Sequence, residues 1–169
     1  MVGRGYHIAL TREAAKQLFA QQDDDNLRSF LDELKTSPEM KKSDRVLETP
    51  GPIWDALHRC LTEGELDIAA GEFPLNHAVL GGRQLHKGDD YAAVLVRRDM
   101  CAFIAEALGE VQEVELRKKF MALNPQSYQA LRTEKEFTQL WLALQNLKVF
   151  YDAAAENLDA IVFTAKYRE

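Results

Sequence analysis

Apolar positions along this chain recur mostly at helical spacing, broken by a few short runs with the alternation or β-branched content of strands. Gly5-Tyr6-His7-Ile8-Ala9-Leu10 alternates weakly and stops at Thr11, which predicts a strand followed by a helix N-cap. In the helix predicted over residues 12–21, Ala14, Ala15, Leu18 and Phe19 share one face. Asp23-Asp24-Asp25 supplies a cap and favourable negative charge for a second helix over 26–35, where Leu27, Phe30, Leu31 and Leu34 fall at i, i+3, i+4 and i+7. Residues 36–51 show no periodicity and read as a long connection with a short strand at Val46-Leu47.

Pro52 suits the first residue of a helix, where a missing N–H costs nothing. Trp54, Leu57, Cys60 and Leu61 form the apolar face of that helix, and Gly64 ends it. Residues 65–72 are a connection, and 73–80 a short helix or turn stopped by Gly81-Gly82. Tyr91-Ala92-Ala93-Val94-Leu95-Val96 gives the strongest strand signal in mid-chain. Asp99 is predicted to cap a helix whose Met100, Phe103, Ile104, Ala107 and Leu108 make one stripe. Over 111–120, Glu113/Arg117 and Glu115/Lys119 stand in the favourable acid-first i, i+4 order of a solvated face. The longest periodic segment, 133–157, aligns Phe137, Leu140, Trp141, Leu144, Leu147, Tyr151 and Ala154, with Leu142, Val149 and Phe150 outside that stripe. A helix apolar on more than one side predicts burial by several neighbours, so this is the expected central helix, with the Lys148 stem snorkelling. Residues 159–165 read as a terminal strand. Together these elements predict a single α+β domain over 1–169: several helices around a long C-terminal helix, with a small mixed or antiparallel sheet.

Composition narrows the classes without naming a chemistry. The chain has 169 residues, 46% hydrophobic and 28% charged, and its length suits one domain whose core needs no disulfide or metal. Its net charge of −6 is spread over both halves, so no basic region exists to release counterions and a nucleic-acid partner is not expected. The first ten residues lack a signal-peptide core and no run of apolar residues could span a bilayer, so a cytoplasmic address without membrane contact is expected. Cys60 and Cys101 lie in amphipathic helical segments and read as buried free thiols.

Three spaced motifs resemble the YfbM-like family of small bacterial proteins, a domain of unknown function. The family's W-x-x-L-H-x-x-L-T helix is matched by Trp54, Leu57, His58, Leu61 and Thr62. Its P-L-x-x-A-V-L-G segment is matched by Pro74-Leu75-Asn76-His77-Ala78-Val79-Leu80-Gly81, and E-L-R-K-x-F by Glu115-Leu116-Arg117-Lys118-Lys119-Phe120. The opening Gly3-x-Gly5-Tyr6 and the long C-terminal helix followed by a short strand also fit. The stretch Glu48-Thr49-Pro50-Gly51-Pro52-Ile53 departs from the family's acidic, Lys-containing pattern before the Trp. The resemblance implies an α+β bacterial cytoplasmic protein and transfers no catalytic residue.

The candidate chemistry is sparse. Trp54, Asp55 and His58 project to neighbouring positions on one helix, and a carboxylate beside an imidazole can orient a general base. The plainer reading of the same residues is a histidine at the core edge with Trp54 filling the core. His58, His77 and His86 follow no standard metal-ligand spacing, so neither metal nor cofactor is expected. Gly81-Gly82-Arg83 offers backbone N–H groups and a guanidinium to an anion, or simply turns the chain. No serine sits in a nucleophile-elbow context.

Two hypotheses follow. One is a non-catalytic protein-binding domain, of which a toxin-neutralising immunity protein is one form, whose acidic surface would suit a basic partner. The other is a small-molecule-binding protein or enzyme with a pocket around Trp54, Asp55, His58, His77, Arg83 and Tyr91. Whether His58 and His77 converge with Arg83 separates them.

Overall fold

Strict alternation along the strands sorts the apolar residues onto two faces of one sheet. In β1 (Gly5–Leu10), Ile8 and Leu10 face one way, while His7 and Ala9 face the other. The computed structural model describes residues 1–169 and pairs β1 with β2 (Val46–Thr49), β3 (Arg83–Gln84), β4 (Tyr91–Val96) and β5 (Ala160–Lys166) in the antiparallel order β2-β1-β5-β4-β3. Register follows the pattern: His7 stands opposite Phe163 and Val94 opposite Phe163 on its other side, so the central strands bring their large residues to one face.

Helices cover both faces. α1 (Arg12–Phe19), α2 (Asp24–Thr36) and α3 (Pro38–Lys42) close the smaller core over Ile8, Leu10, Tyr91, Ala93, Leu95 and Val162. On the other face, α4 (Gly51–Leu61), α5 (Cys101–Glu110), α6 (Glu113–Met121) and α7 (Glu134–Asn157) build the larger core. The first two helices start where their caps predict: Thr11 Oγ1 accepts from the Ala14 N–H at 3.1 Å, and Asp23 Oδ1 from the Asn26 N–H at 2.8 Å. α7 ends in a left-handed residue, Leu158 (φ 55°), after which the Asp159 N–H donates back to the Ala154 carbonyl at 2.9 Å.

The expected α+β domain, with several helices around a long C-terminal helix and a small antiparallel sheet, is present. α7 packs mainly on α5 and next on α4, and its outer face stays in solvent: Leu142 and Val149, expected to be covered, are exposed. Lys148 snorkels along Gly109 to reach Asp152 at 2.7 Å. Other expectations shift locally. The connection over 36–51 holds α3 as well as β2, because Pro38 presets the first turn of a helix too short to show a period. Asp99 does not cap α5; that helix is entered through a 3-10 turn, and the Asp99 carboxylate accepts from Arg97 instead. Glu115 meets Lys118 at 3.4 Å, not Lys119, while Arg117 meets Glu113 as expected. Phe19 and Phe103, assigned to apolar faces, are exposed, since periodicity marks a stripe but not which edge of it finds a neighbour. No helix is long and apolar enough to cross a membrane.

Candidate functional site

α4 carries three of the six candidate residues and turns them inward. Trp54 is fully buried in the larger core, its ring edge-on to Phe163 at 5.2 Å, and its Nε1–H donates to the Gly3 carbonyl at 2.7 Å. His58 is buried as well. Its Nε2–H donates to the Asp67 carbonyl at 2.7 Å, which fixes the proton on Nε2 and leaves Nδ1 buried without a partner. Burial lowers the His58 pKa, against the opposing effect of the Asp67 hydrogen bond.

The Asp55–His58 pairing read from the sequence is replaced by an Asp55–Arg59 pair. Arg59 Nε donates to Asp55 Oδ1 at 2.6 Å, because a carboxylate leaving water needs a permanent charge and the guanidinium lies one turn along the same face. Burial still pushes the Asp55 carboxyl up, with Arg59 pulling it partly back. Arg59 also donates to Ser127 Oγ at 3.2 Å and to the Ser127 carbonyl at 3.1 Å, tying α4 to the segment after α6. Asp55, Arg59 and Tyr128 line a cleft of about 750 Å³, yet their hydrogen bonds run into the protein; the Tyr128 hydroxyl donates to the Pro52 carbonyl at 2.9 Å.

Tyr91 lies across the sheet from Trp54 and His58, in the smaller core. Arg28 covers its ring at 4.6 Å and is held there by Asp90 at 3.0 Å. Its phenol is buried without a hydrogen-bond partner, and burial pushes its pKa up to about 12. The six candidates therefore occupy three places.

His77 and Arg83 do come together. His77 ends a 3-10 turn (Leu75–His77) whose continuation, Ala78, Val79 and Leu80, is buried. The Ala78 carbonyl accepts from His7 Nε2 at 2.8 Å and from the Tyr151 hydroxyl at 3.1 Å, so two buried side chains pin this segment. Gly81 and Gly82 permit close approach: a Cβ would lie 2.0 Å from the Asn76 carbonyl oxygen at Gly81 and 2.5 Å from that of Leu95 at Gly82. The Gly81 N–H is already donated to Asn76 at 2.7 Å, so no backbone anion cradle forms from it. The turn delivers Arg83 to the edge strand β3, opposite Leu95.

Here His77 and Arg83 line a groove of about 530 Å³ with Phe19, Leu95, Arg97 and Met100. No acidic residue lines it, although the chain carries −6. Arg83 is exposed and makes no ion pair; Arg97 meets only Asp99, at 3.1 Å, with both side chains about two-thirds exposed. His77 is half-buried, its Nδ1 2.6 Å from Asn76 Oδ1, and burial lowers its pKa. Phe73 stands edge-on to the His77 ring at 5.0 Å, and Phe103 lies 6.2 Å from Phe73. Phe19, Phe73 and Phe103 are 61%, 46% and 57% exposed, and they are the exposed members of the chain's eight phenylalanines. Sequence reasoning missed Arg97 and the three phenylalanines as site residues. The signal available was Arg97-Arg98 directly after a strand in an acidic chain.

The three imidazoles first weighed as metal ligands have separate surroundings: His58 on the Asp67 carbonyl, His77 on Asn76, and His86 accepting from the Gly88 N–H at 3.2 Å.

Comparison with known proteins then fixes the kinship. The family described as Domain of unknown function (DUF1877) matches residues 1–164. The chain belongs to the DUF1877 family. The crystal structure of YfbM from Escherichia coli, described as a protein of unknown function, is similar at TM-score 0.71 and 24% identity, covering 98% of this chain and 99% of that one. At that identity the likeness is one of fold. No curated protein matches the sequence. The residues that carry the resemblance to the family are largely core residues: Trp54, Leu57, His58 and Leu61 on α4, Ala78 to Leu80 before β3, and Leu116 and Phe120 on α6 are all buried. In this DUF1877 chain the motifs thus specify packing, and the exposed groove lies beside them.

Proposed function

We propose that this DUF1877 protein is a non-catalytic binding protein that holds another protein at the groove beside β3. The observation that carries the reading is a groove lined by the exposed Phe19 and by Arg83, which makes no ion pair, with the exposed Phe73 edge-on to its His77 and Phe103 next to Phe73. Exposed aromatics in water are unfavourable, and aromatic side chains with arginine beside them have the composition of an interface core. The pinned Ala78 segment supports preorganisation, which limits the ordering cost of binding. An enzyme centred on His58 finds less support, since that ring is buried and Asp55 is engaged by Arg59. A cytoplasmic location belongs to this reading and is supported by the unpaired, buried Cys60 and Cys101. A toxin-neutralising immunity role is the special case in which the partner is a toxic protein.

A photo-crosslinking side chain placed at Phe103, with another at the exposed Leu142 on α7 as the control, tests the reading in the native host. A discrete adduct at Phe103 that is absent at Leu142 is the expected result. Adducts at Leu142 alone, or at neither position, would overturn it.

A further inference from the structure

We infer that the groove takes an acidic, aromatic-containing segment of its partner, with carboxylates meeting Arg83 and Arg97 and an apolar side chain resting on Phe73 and Phe103. This rests on the groove being the docking face and adds the chemistry of its occupant. The sign of the charge comes first. The chain is acidic overall, yet the residues lining the groove include two guanidinium groups and no carboxylate, and the carboxylate that meets one of them is the exposed Asp99 on Arg97, which leaves Arg83 as an uncompensated cation there. A partner chosen by overall charge would be basic; one chosen by this groove is acidic.

Arg83 has no ion-pair partner, and a guanidinium presents a planar fork suited to a carboxylate. Arg97 already shows what it accepts: the Asp99 carboxylate sits 3.1 Å away in a pair exposed on both sides. Exposed pairs of this kind are weak, so an incoming carboxylate can replace Asp99 at little cost. The apolar share of the ligand follows from Phe19, which lines the groove, and from Phe73, which stands edge-on to His77 beside it with Phe103 6.2 Å from Phe73. Two cations flanked by aromatics match a few carboxylates spaced around an apolar residue. They do not match a phosphate polymer, whose remaining charges would run onto an acidic surface.

The test is calorimetric titration of the whole protein with a blocked peptide of four glutamates around a central phenylalanine, with the glutamine version of that peptide, and with a ten-nucleotide single-stranded DNA. The acidic peptide is expected to bind saturably and more weakly as salt rises, with the glutamine peptide at least tenfold weaker and the DNA weaker still. Arg83→Glu and Arg97→Glu are each expected to weaken the acidic peptide at least tenfold. Lys118→Glu, a charge reversal on exposed α6, is expected to leave it unchanged. Both groove arginines are exposed, so circular dichroism of these variants is expected to match the parent. Equal binding of the two peptides, tighter binding of the DNA, no saturation by millimolar peptide, or unchanged affinity in Arg83→Glu and Arg97→Glu overturns the inference. If it fails while the Phe103 crosslink still forms, only the occupant's chemistry is wrong; if both fail, the docking face falls too.

Discussion

His7 makes the stability of this protein sensitive to mild acid, and the size of the effect can be worked out. The ring lies in the larger core among Phe150, Tyr151 and Phe163, with Nε2–H donated to the Ala78 carbonyl at 2.8 Å and Nδ1 left without a partner. Burial lowers its pKa from 6.5 to about 4, outweighing the opposing effect of the Ala78 hydrogen bond. In the unfolded chain the imidazole gains its proton as pH falls through the usual range, whereas the native ring resists until much lower. The unfolded state therefore binds more protons, and stability falls as the solution is acidified. His7's contribution is complete above the unfolded pKa and is progressively lost as pH falls from 6.5 towards about 4. Between pH 7 and pH 5 linkage gives a loss of about 2 kcal/mol from this one group. His7→Gln retains an N–H for Ala78 and has nothing to titrate. Urea denaturation of both proteins at the two pH values isolates the term, because the contributions of His58 and His77, whose pKa values are also lowered, occur in both and cancel. The parent is expected to lose about 2 kcal/mol more than the variant on acidification. Equal losses, to within about 0.5 kcal/mol, would refute the assignment of a buried, neutral His7.

Other consequences are open to direct measurement. Arg59→Leu removes the partner of the buried Asp55 and the tie to Ser127; urea denaturation is expected to show a loss of about 3–5 kcal/mol, and Asp55→Leu with Arg59→Met together a smaller one. Trp54→Phe keeps the aromatic packing but leaves the Gly3 carbonyl without its donor, so a loss of about 1–3 kcal/mol is expected by thermal denaturation, with the remaining emission that of half-exposed Trp141. Leu158 is exposed in a left-handed conformation that costs a leucine about 1–2 kcal/mol, so Leu158→Asn is expected to raise the melting temperature.

How far the fold could be read from sequence depended on how much each segment advertises its own environment. The strands Gly5–Leu10 and Tyr91–Val96 are legible to their ends because the chain changes character there, at Thr11 in one case and at Arg97-Arg98 in the other. β3 is not, since two residues have no period and their pairing with Leu95 and Val94 is a tertiary fact. The same limit governs the site. Trp54, Asp55 and His58 are close in sequence and share a helix, but the sheet draws Trp54 and His58 into the core while Asp55 finds Arg59. His77 and Arg83 meet because the Gly81-Gly82 turn folds tightly onto Asn76 and Leu95. Arg97 reaches the groove from the end of β4, while Phe73 and Phe103 meet beside His77 from separate segments, and periodicity cannot bring distant segments together. Phe103 is the hardest to read, because an exposed aromatic at the edge of a helical stripe has the same spacing as a core residue.

The central claim is that the face beside β3 binds, and backbone amide shift mapping of the ¹⁵N-labelled protein during titration with the acidic peptide tests it most directly. The account predicts perturbations confined to residues 73–84, 95–103 and the end of α1 around Phe19, with the amides around Asp55 and Leu142 unmoved. Shifts centred on the Asp55 cleft or on the outer face of α7, with the β3 edge silent, would contradict it.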